Sequence, residues 1–384
     1  MVDVIVAGLG AMGSAAAYHL SRRGLRVLGF DRFTQPHTFG SSHGKSRIIR
    51  EAYFEDPLYV PLVQRAYQCW SDLETRSGRG LLTPTGGLMI GPPAGVVVRG
   101  ARASAVAHGL AFEELSSGAV RERFPALAPA ASDVAIWEPR AGILHPEAAV
   151  ETHLALAREQ GAELRFDEPV ERWSERAGGL VRVSTASGTY DATWLVISAG
   201  AWVQELLPDV TLPLVIERNV AHWFEPADAA SHLGPGSLPI FIHEYAPGKV
   251  WYGFPDIGDG VKFALHHQGE ATTAAGVRRT VSDDEVEAVR AIANRVLPGA
   301  AGRVRESVVC LYTNTPDEHF ILDTLAAHRR VIVASPCSGH GFKFSSAIGE
   351  VIADLVLEGR SRFDLAPFRL DRPRLRESAA ASPS

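Results

Sequence analysis

The sequence predicts an α/β (α+β) chain in which a discontinuous Rossmann-like dinucleotide domain is interrupted by an antiparallel, sheet-rich second domain. Three observations predict it: a strand–glycine turn–helix–strand unit at the start, a late strand ending in small residues, and a closing strand–glycine turn–helix. The chain has 384 residues, enough for about two domains at roughly 150 residues each. With 46% hydrophobic and 21% charged residues it can bury a large core, and global disorder is excluded.

The opening unit carries most of the information. Val2 to Ala7 is an apolar run of strand type, Gly8-Leu9-Gly10-Ala11-Met12-Gly13 follows, and a helical stretch to Arg23 is closed by Gly24. A second strand, Arg26 to Phe30, ends on Asp31, 18 positions after Gly13. In such a unit the first glycine permits a tight turn, the second lets a pyrophosphate approach the backbone, and the third lets helix pack on strand. The helix N-terminus then faces the phosphates, and Asp31 is placed to accept from ribose hydroxyls. A carboxylate there disfavours the extra phosphate of NADP, while FAD and NAD both stay open.

Thr193 to Ala201 reads as a buried strand ending in small residues, preceded by Gly188-Thr189-Tyr190-Asp191. Such an end lets the chain pass close beside a dinucleotide, although an ordinary central strand has the same pattern. Val331 to Ala334 reads as a strand, Ser338-Gly339-His340-Gly341 as a turn, and Phe342 to about Leu357 as a helix stopped by Gly359. Phe344, Ala347, Ile348, Val351, Ile352 and Leu355 form its apolar stripe, and its N-terminus offers amide donors. Shorter strand-like runs lie between: Gly87 to Ile90, Val220 to Phe224, Ile240 to His243 and Val250 to Phe254. The expected organisation assigns 1–84, 145–212 and 315–375 to the nucleotide domain and 85–144 and 213–314 to the inserted one, with 376–384 as a tail. The active site is expected between the two domains.

Composition narrows the function. The formal net charge is −6 and no basic patch recurs, which argues against nucleic acid and membrane surfaces as partners. Three cysteines (Cys69, Cys310, Cys337) without CxxC spacing argue against a disulfide framework or zinc, so no metal is expected and a reducing cytoplasm is. Val4 to Leu20 is apolar but broken by glycines, no run reaches a membrane span, and Ser378 to Ser384 carries no peroxisomal address. His266 and His267 are not read as metal ligands, because strand neighbours point to opposite faces. Only four of the 38 basic residues are lysines (Lys45, Lys249, Lys262, Lys343), a bias that draws attention to each.

Five motifs in order give a resemblance over essentially the whole length: Gly8 to Gly13; Gly40-Ser41-Ser42-His43-Gly44-Lys45-Ser46-Arg47-Ile48-Ile49-Arg50; Tyr252-Gly253-Phe254-Pro255 leading to Lys262; Cys310-Leu311-Tyr312-Thr313 with Asp317-Glu318-His319-Phe320; and Ser338 to Phe344. Together they resemble the monomeric sarcosine oxidase and N-methyltryptophan oxidase family of the D-amino-acid-oxidase superfamily. Phe363 to Phe368 looks more like the N-methyltryptophan branch.

The resemblance implies a monomeric flavoenzyme whose FAD is joined through a cysteine sulfur to the flavin 8α-methyl. The motif places that cysteine at Cys310, with Cys337 as the competitor beside the glycine turn; a free cysteine is otherwise a small buried hydrophobe. It further implies cofactor contacts from Gly8, Gly10, Ala11, Met12 and Gly13, from Asp31, Arg32, Ser42 and His43, and from Gly339, His340, Gly341 and Lys343. The implied substrate is a secondary amino acid whose carboxylate meets Arg50 and Lys343, the latter at the start of the last helix. Tyr252 and His266 match pocket positions. Lys262 matches the lysine beneath the flavin ring associated with oxygen activation, and His43 and Arg47 flank the ring, Arg47 near Lys262. For Arg50 the competing reading is a surface ion pair with Glu51 or Glu55.

The implied reaction is oxidative demethylation of N-methyl-L-tryptophan or a similar amino acid, with sarcosine and pipecolate-type cyclic amino acids as alternatives. It releases a primary amino acid, formaldehyde and hydrogen peroxide. There are departures: Lys45-Ser46 stands where the family commonly has Asp-Thr, Glu51 where it often has His, and the Pro255–Lys262 turn is one residue short. The rivals are an NAD-linked dehydrogenase, which needs a second Rossmann half directly after Asp31, a noncovalent FAD dehydrogenase, and a silent FAD-binding scaffold. On the residues alone, FAD or NAD oxidoreductase is as far as the chemistry reaches.

Overall fold

The computed structural model describes residues 1–226, 232–335 and 338–375; the tail 376–384 and Cys337 lie outside the described residues. The first sheet has eight strands. Its parallel centre runs Glu163–Arg165, Val27–Phe30, Val2–Ala7, Gly188–Ile197, Val331–Ser335, with Ile321–Thr324 antiparallel at one edge. Leu180–Thr185 and Arg172–Arg176 extend Gly188–Ile197 antiparallel. Parallel strands are covered on both faces. Accordingly the central runs are nearly all buried, and helices Ala11–Arg22 and Ser345–Glu358 pack over one face.

Those two helices approach closely because their facing residues are small: a Cβ on Gly349 would lie 2.5 Å from the Ala15 carbonyl carbon. The glycine loop obeys the same logic. Gly8 sits at φ +96°, and a Cβ on Gly13 would lie 1.7 Å from Gly8 O. Only glycine lets this helix start so close to the strand it follows.

The second sheet has nine strands, running Glu270–Thr272, Val215–Phe224, Val261–His266, Lys249–Phe254, Ile240–Ala246, Gly87–Gly91, Val134–Glu138, Glu113–Ser116, with Val304–Asn314 also on Val215–Phe224. Alternation sorts its two faces. Phe224, Phe241, Trp251, Val261 and Phe263 point to a core shared with Val286, Val289 and Ala293 of helix Asp283–Val296. The opposite face carries Lys262, Ala264 and His266 beside Tyr252 and Phe254, with Cys310 and Tyr312 across from Asn219 and Glu217. A three-stranded sheet of Arg47–Ile49, Gly142–Leu144 and Leu82–Pro84 joins the layers.

Several local expectations change. The strand expected from Thr193 begins at Gly188, because its first half pairs with Leu180–Thr185 before the buried half joins the parallel centre. The last α-helix starts at Ser345, so Lys343 lies in a 3₁₀ turn, Phe342–Phe344, ahead of that helix. Three helices stand in the inserted segments: Val96–His108, Ser117–Arg123 and Asp283–Val296. The last has a legible start, since Ser282 and Glu285 form a capping box.

Gly13→Ala forces either Gly8 or the helix start to move. Overpacking of this kind costs about 1–3 kcal/mol. Thermal unfolding is expected to show a lowered Tm, and the purified variant to lose bound dinucleotide.

Candidate active site

The parallel strands end at Ala7, Phe30, Ile197 and Ser335, and residues next to those ends (Gly8, Asp31, Ser198, Ala334) line one cavity. Ligands in open α/β sheets sit at such carboxyl ends. The cavity continues onto the polar face of the second sheet, past Cys310, Lys262, Tyr252 and His266, to Arg50 and Lys343. Its wall runs unbroken from the glycine loop to Arg50 and Lys343, a lining that suits a dinucleotide with a substrate at its end.

At the nucleotide end, Gly8, Gly10, Ala11, Met12, Asp31, Arg32 and Ser42 all line the cavity. A Cβ on Gly10 would meet only Ser42 Oγ, at 3.3 Å, so the second glycine faces open space, as a pyrophosphate cradle requires. Ser42 Oγ accepts from Ala11 N at 3.0 Å, at the helix N-terminus. Asp31 accepts from Leu9 N (2.7 Å), Phe33 N (2.9 Å) and Gln35 Nε2 (3.0 Å), which fixes its carboxylate at the cavity edge. Arg32 pairs with Glu205 and stacks over Trp202. Gly13 does not reach the cavity; it acts from behind, through helix packing.

In the middle, Cys310 is buried on Val304–Asn314, with His43 Nε2 3.7 Å and Arg47 Nη2 3.8 Å from its Sγ. Burial pushes this thiol up, but His43, Arg47 and Lys262 outweigh it and bring the pKa down to about 6. His43 stands behind Cys310 rather than on the cavity wall, and its Nε2 also faces Gly40 O at 3.1 Å. Lys262 Nζ donates to Gly44 O (2.7 Å), Ser46 O (3.0 Å) and Ser46 Oγ (3.0 Å), beneath the Trp223 and Phe254 rings. Burial, then Arg47, holds it well below the usual lysine range. Arg47 shares Ser46 O, so the two cations are tied through one carbonyl.

At the far end, Arg50 is 1% exposed and Lys343 5% exposed, and both line the cavity. Arg50 pairs with Glu55 at 2.5 Å, so that ion pair is real but buried, not on the surface, while Glu51 pairs with Arg140. Arg50 Nε has no partner, and its guanidinium lies over Tyr53 and Phe54. Glu138 accepts from Glu51 N and Ala52 N, both at 2.7 Å, and fixes the backbone just after Arg50. Tyr252 and Tyr312 hydroxyls are 3.4 Å apart, with His266 Nδ1 3.5 Å from Tyr312. Burial, then His267, holds His266 well below the usual histidine range, so it is neutral. Gly339, His340 and Gly341 complete the wall.

The reason given for His266-His267 does not hold: the strand ends at His266, His267 turns at φ +52°, and the rings lie 4.2 Å apart. His267 pairs with Glu217 instead. Residues the sequence pattern did not single out include Glu55, Asn219, Tyr312 and Trp202. Tyr312 had a signal, standing two positions after Cys310 and hence on the same strand face. Glu55 had none beyond its possible pairing with Arg50.

The residues fit FAD. A glycine cradle faces open space beneath a helix N-terminus, an aspartate closes the second strand, and an acidified cysteine lies further along the same cavity. Comparisons with known proteins agree. The model of the family described as FAD dependent oxidoreductase (DAO) matches residues 3–355. A monomeric sarcosine oxidase of Streptomyces avermitilis is 46% identical over 370 residues, covering 95% of this chain and 96% of that one. An N-methyl-L-tryptophan oxidase of Yersinia pestis is 38% identical over 373 residues, covering 96% and 99%. The glycine oxidase structure from Geobacillus kaustophilus shares the fold, with a TM-score of 0.81 at 22% identity over 97% of this chain and 98% of that one. The chain belongs to the DAO family of FAD-dependent oxidoreductases.

Proposed function

We propose that the protein oxidises an N-methyl (secondary) α-amino acid at the expense of molecular oxygen, giving the primary amino acid, formaldehyde and hydrogen peroxide. The observation that carries this reading is the pair of buried cations, Arg50 and Lys343, lining the cavity that also holds Cys310 and Lys262. An α-carboxylate would meet both groups at once: Arg50 brings its guanidinium to the cavity wall, and Lys343 adds a point charge. The amine end then lies toward the polar face of the second sheet. Bound FAD would supply the two-electron acceptor for the amine C–H bond and the donor to oxygen, leaving an imine that water hydrolyses.

The chain's own residues divide the remaining work. Tyr252, Tyr312 and neutral His266 ring the amine with uncharged polar groups, which suits a substrate bound as its free amine. No side chain is assigned proton abstraction from carbon. Lys262, held by three oxygens of Gly44 and Ser46, places positive potential where negative charge develops on oxygen. Cys310, acidified by its neighbours, is the proposed point of covalent attachment. Phe54, Ile242 and Phe342 add apolar wall, which supports a substrate as large as N-methyl-L-tryptophan. Sarcosine is the second reading, favoured by the 46% identity to the Streptomyces avermitilis sarcosine oxidase.

A peroxide assay across N-methyl amino acids tests the proposal. N-methyl-L-tryptophan is expected to give the highest kcat/KM; a preference for sarcosine selects the second reading, and peroxide from neither sinks both. Against the best substrate, Lys343→Met and Arg50→Gln each remove a charge-assisted hydrogen bond. Such a loss is about 1.5–3 kcal/mol, or roughly 10–100-fold in kcat/KM. An unchanged kcat/KM in both variants would remove the carboxylate clamp.

For the flavin link, acid-denatured protein is expected to keep its FAD and Cys310→Ser to release it. In FAD-free protein, the alkylation rate of Cys310 should rise through about pH 6 and level off above it, as the thiolate forms. Iodoacetamide labelling followed by mass spectrometry reads this out, and a midpoint near that of an ordinary thiol contradicts the acidified cysteine. Lys262→Met is expected to slow reoxidation by oxygen about 10²-fold in stopped flow and to leave substrate reduction of the flavin unchanged.

A further inference from the structure

Resting on the carboxylate clamp proposed above, we propose that Tyr53 is a positioning residue that keeps Lys343 a hydrogen-bond donor toward the ligand, through a one-way relay ending on the Glu318 carbonyl.

The direction of the relay is fixed from its far end. The Glu318 carbonyl can only accept, so His340 Nε2, 2.9 Å away, carries a proton. Burial pushes His340 down to about 3, so the ring is neutral and Nδ1 is a bare acceptor. Tyr53 Oη lies 2.5 Å from that Nδ1 and must donate to it. Burial raises the phenol well above its ordinary range, so it keeps its proton. The lone pairs left on Oη face Lys343 Nζ at 3.3 Å, and that nitrogen must donate in turn. Lys343 Nζ also donates to His340 O at 2.8 Å. Two of the three ammonium protons are thereby fixed by the protein, and one is left for the cavity.

The surroundings make the arrangement stiff. Tyr53 is fully buried, with its ring 5.0 Å from Tyr59, 5.3 Å from Phe344 and 5.6 Å from His340. Phe320 packs on His340 at 4.9 Å. The polarity of the relay also acts on charge. Burial brings Lys343 down to about 7, with Arg50 and Arg47 pushing the same way and Glu55 opposing them. A neutral amine could still donate its two N–H bonds to Tyr53 Oη and His340 O, but the ammonium makes the stronger, charge-assisted bonds to the same oxygens. Tyr53 therefore favours the ammonium, and removing its hydroxyl should let Lys343 lose its proton more easily.

The test uses the flavin-loaded enzyme and acetate as probe, titrated by flavin absorbance from about pH 6 to about pH 9. In the wild type, acetate affinity is expected to fall through a midpoint as Lys343 deprotonates. In Tyr53→Phe that midpoint should drop by about one pH unit, and the Kd at neutral pH should rise about tenfold. The same midpoint in both proteins overturns the proposal, whatever happens to Tm. If Tyr53→Phe does not retain flavin, His340→Leu keeps the phenol and leaves it no side-chain acceptor at that position. It must lower the midpoint too, and an unmoved midpoint there is equally fatal. Equal acetate binding by the wild type and Lys343→Met at every pH defeats the clamp itself, and the positioning role with it.

Discussion

Five basic side chains line the cavity; Arg32 stands with Asp31 at the nucleotide end, and Arg47, Arg50, Lys262 and Lys343 stand beyond it, where among the described residues Glu55 is the carboxylate on the wall. Removing a charge from water costs several kcal/mol unless it is paired and hydrogen-bonded. Here carbonyl oxygens do most of that work. Arg47 uses Ser41 O, His43 O and Ser46 O; Lys262 uses Gly44 O and Ser46 O; Lys343 uses His340 O; Arg50 uses Ala52 O. Carbonyls are free to turn inward only where the backbone is not consumed by a ladder or a helix. That requirement explains why Gly40–Ser46 and Gly339–Gly341 are irregular, with Gly44, Lys45 and Gly339 in left-handed conformations. Glu55 balances Arg50, but Arg47, Lys262 and Lys343 are held by dipoles, which do not cancel charge. The positive potential is left for an anionic ligand.

The same segment accommodates its own departure from the family pattern. Lys45 stands at φ +64°, and its ammonium turns away from the cavity to Asp259 and Glu306, over the outer side of Trp223. Glu147, in the first turn of helix Pro146–Glu159, accepts from Gly44 N and Lys45 N and anchors the turn from the opposite side. A lysine here is thus balanced by Glu306 on the second sheet and by Asp259 in the loop between two of its strands. The carbonyls on either side of Lys45, Gly44 O and Ser46 O, still turn inward to Lys262.

What was legible in the sequence was local. Gly8, Gly10 and Gly13 announce a turn whose geometry nothing but glycine permits, and Asp31 follows at the end of the adjoining strand. The alternation Val261-Lys262-Phe263-Ala264-Leu265-His266 already separates a core face from a polar one. What was not legible depends on pairs distant in the chain. Glu55 reads as a surface acid until Arg50 is buried beside it, and Glu138 meets Glu51 and Ala52 across 86 to 87 positions. Tyr53 and His340 are 287 positions apart, and only the fold makes them one hydrogen-bonded unit. The expected helix starts too early because Phe344 shares its apolar spacing. Phe344 packs into the same core and Phe342 against it, but as a 3₁₀ turn that carries Lys343.

Cys69 and Cys310 provide an internal comparison bearing on how the cofactor is held. Both are buried, and in both burial alone pushes the thiol up. Cys69 lies on helix Val60–Ser77 near Glu350, which adds to the effect, and its pKa is pushed up to about 12. Cys310 meets His43, Arg47 and Lys262, and its pKa comes down to about 6. At neutral pH the first is a small hydrophobe and the second is largely a thiolate, the form that attacks carbon. His43 acidifies Cys310 most, and Arg47 and Lys262, which add to it, belong to the set that the carbonyls hold. One electrostatic arrangement would then serve both tasks, activating the cysteine for the flavin and drawing the carboxylate to the substrate end. A substitution that neutralised Arg47 or Lys262 would then be felt at Cys310 as well as in the proposed oxygen chemistry, whereas one at His43 would act first on the cysteine.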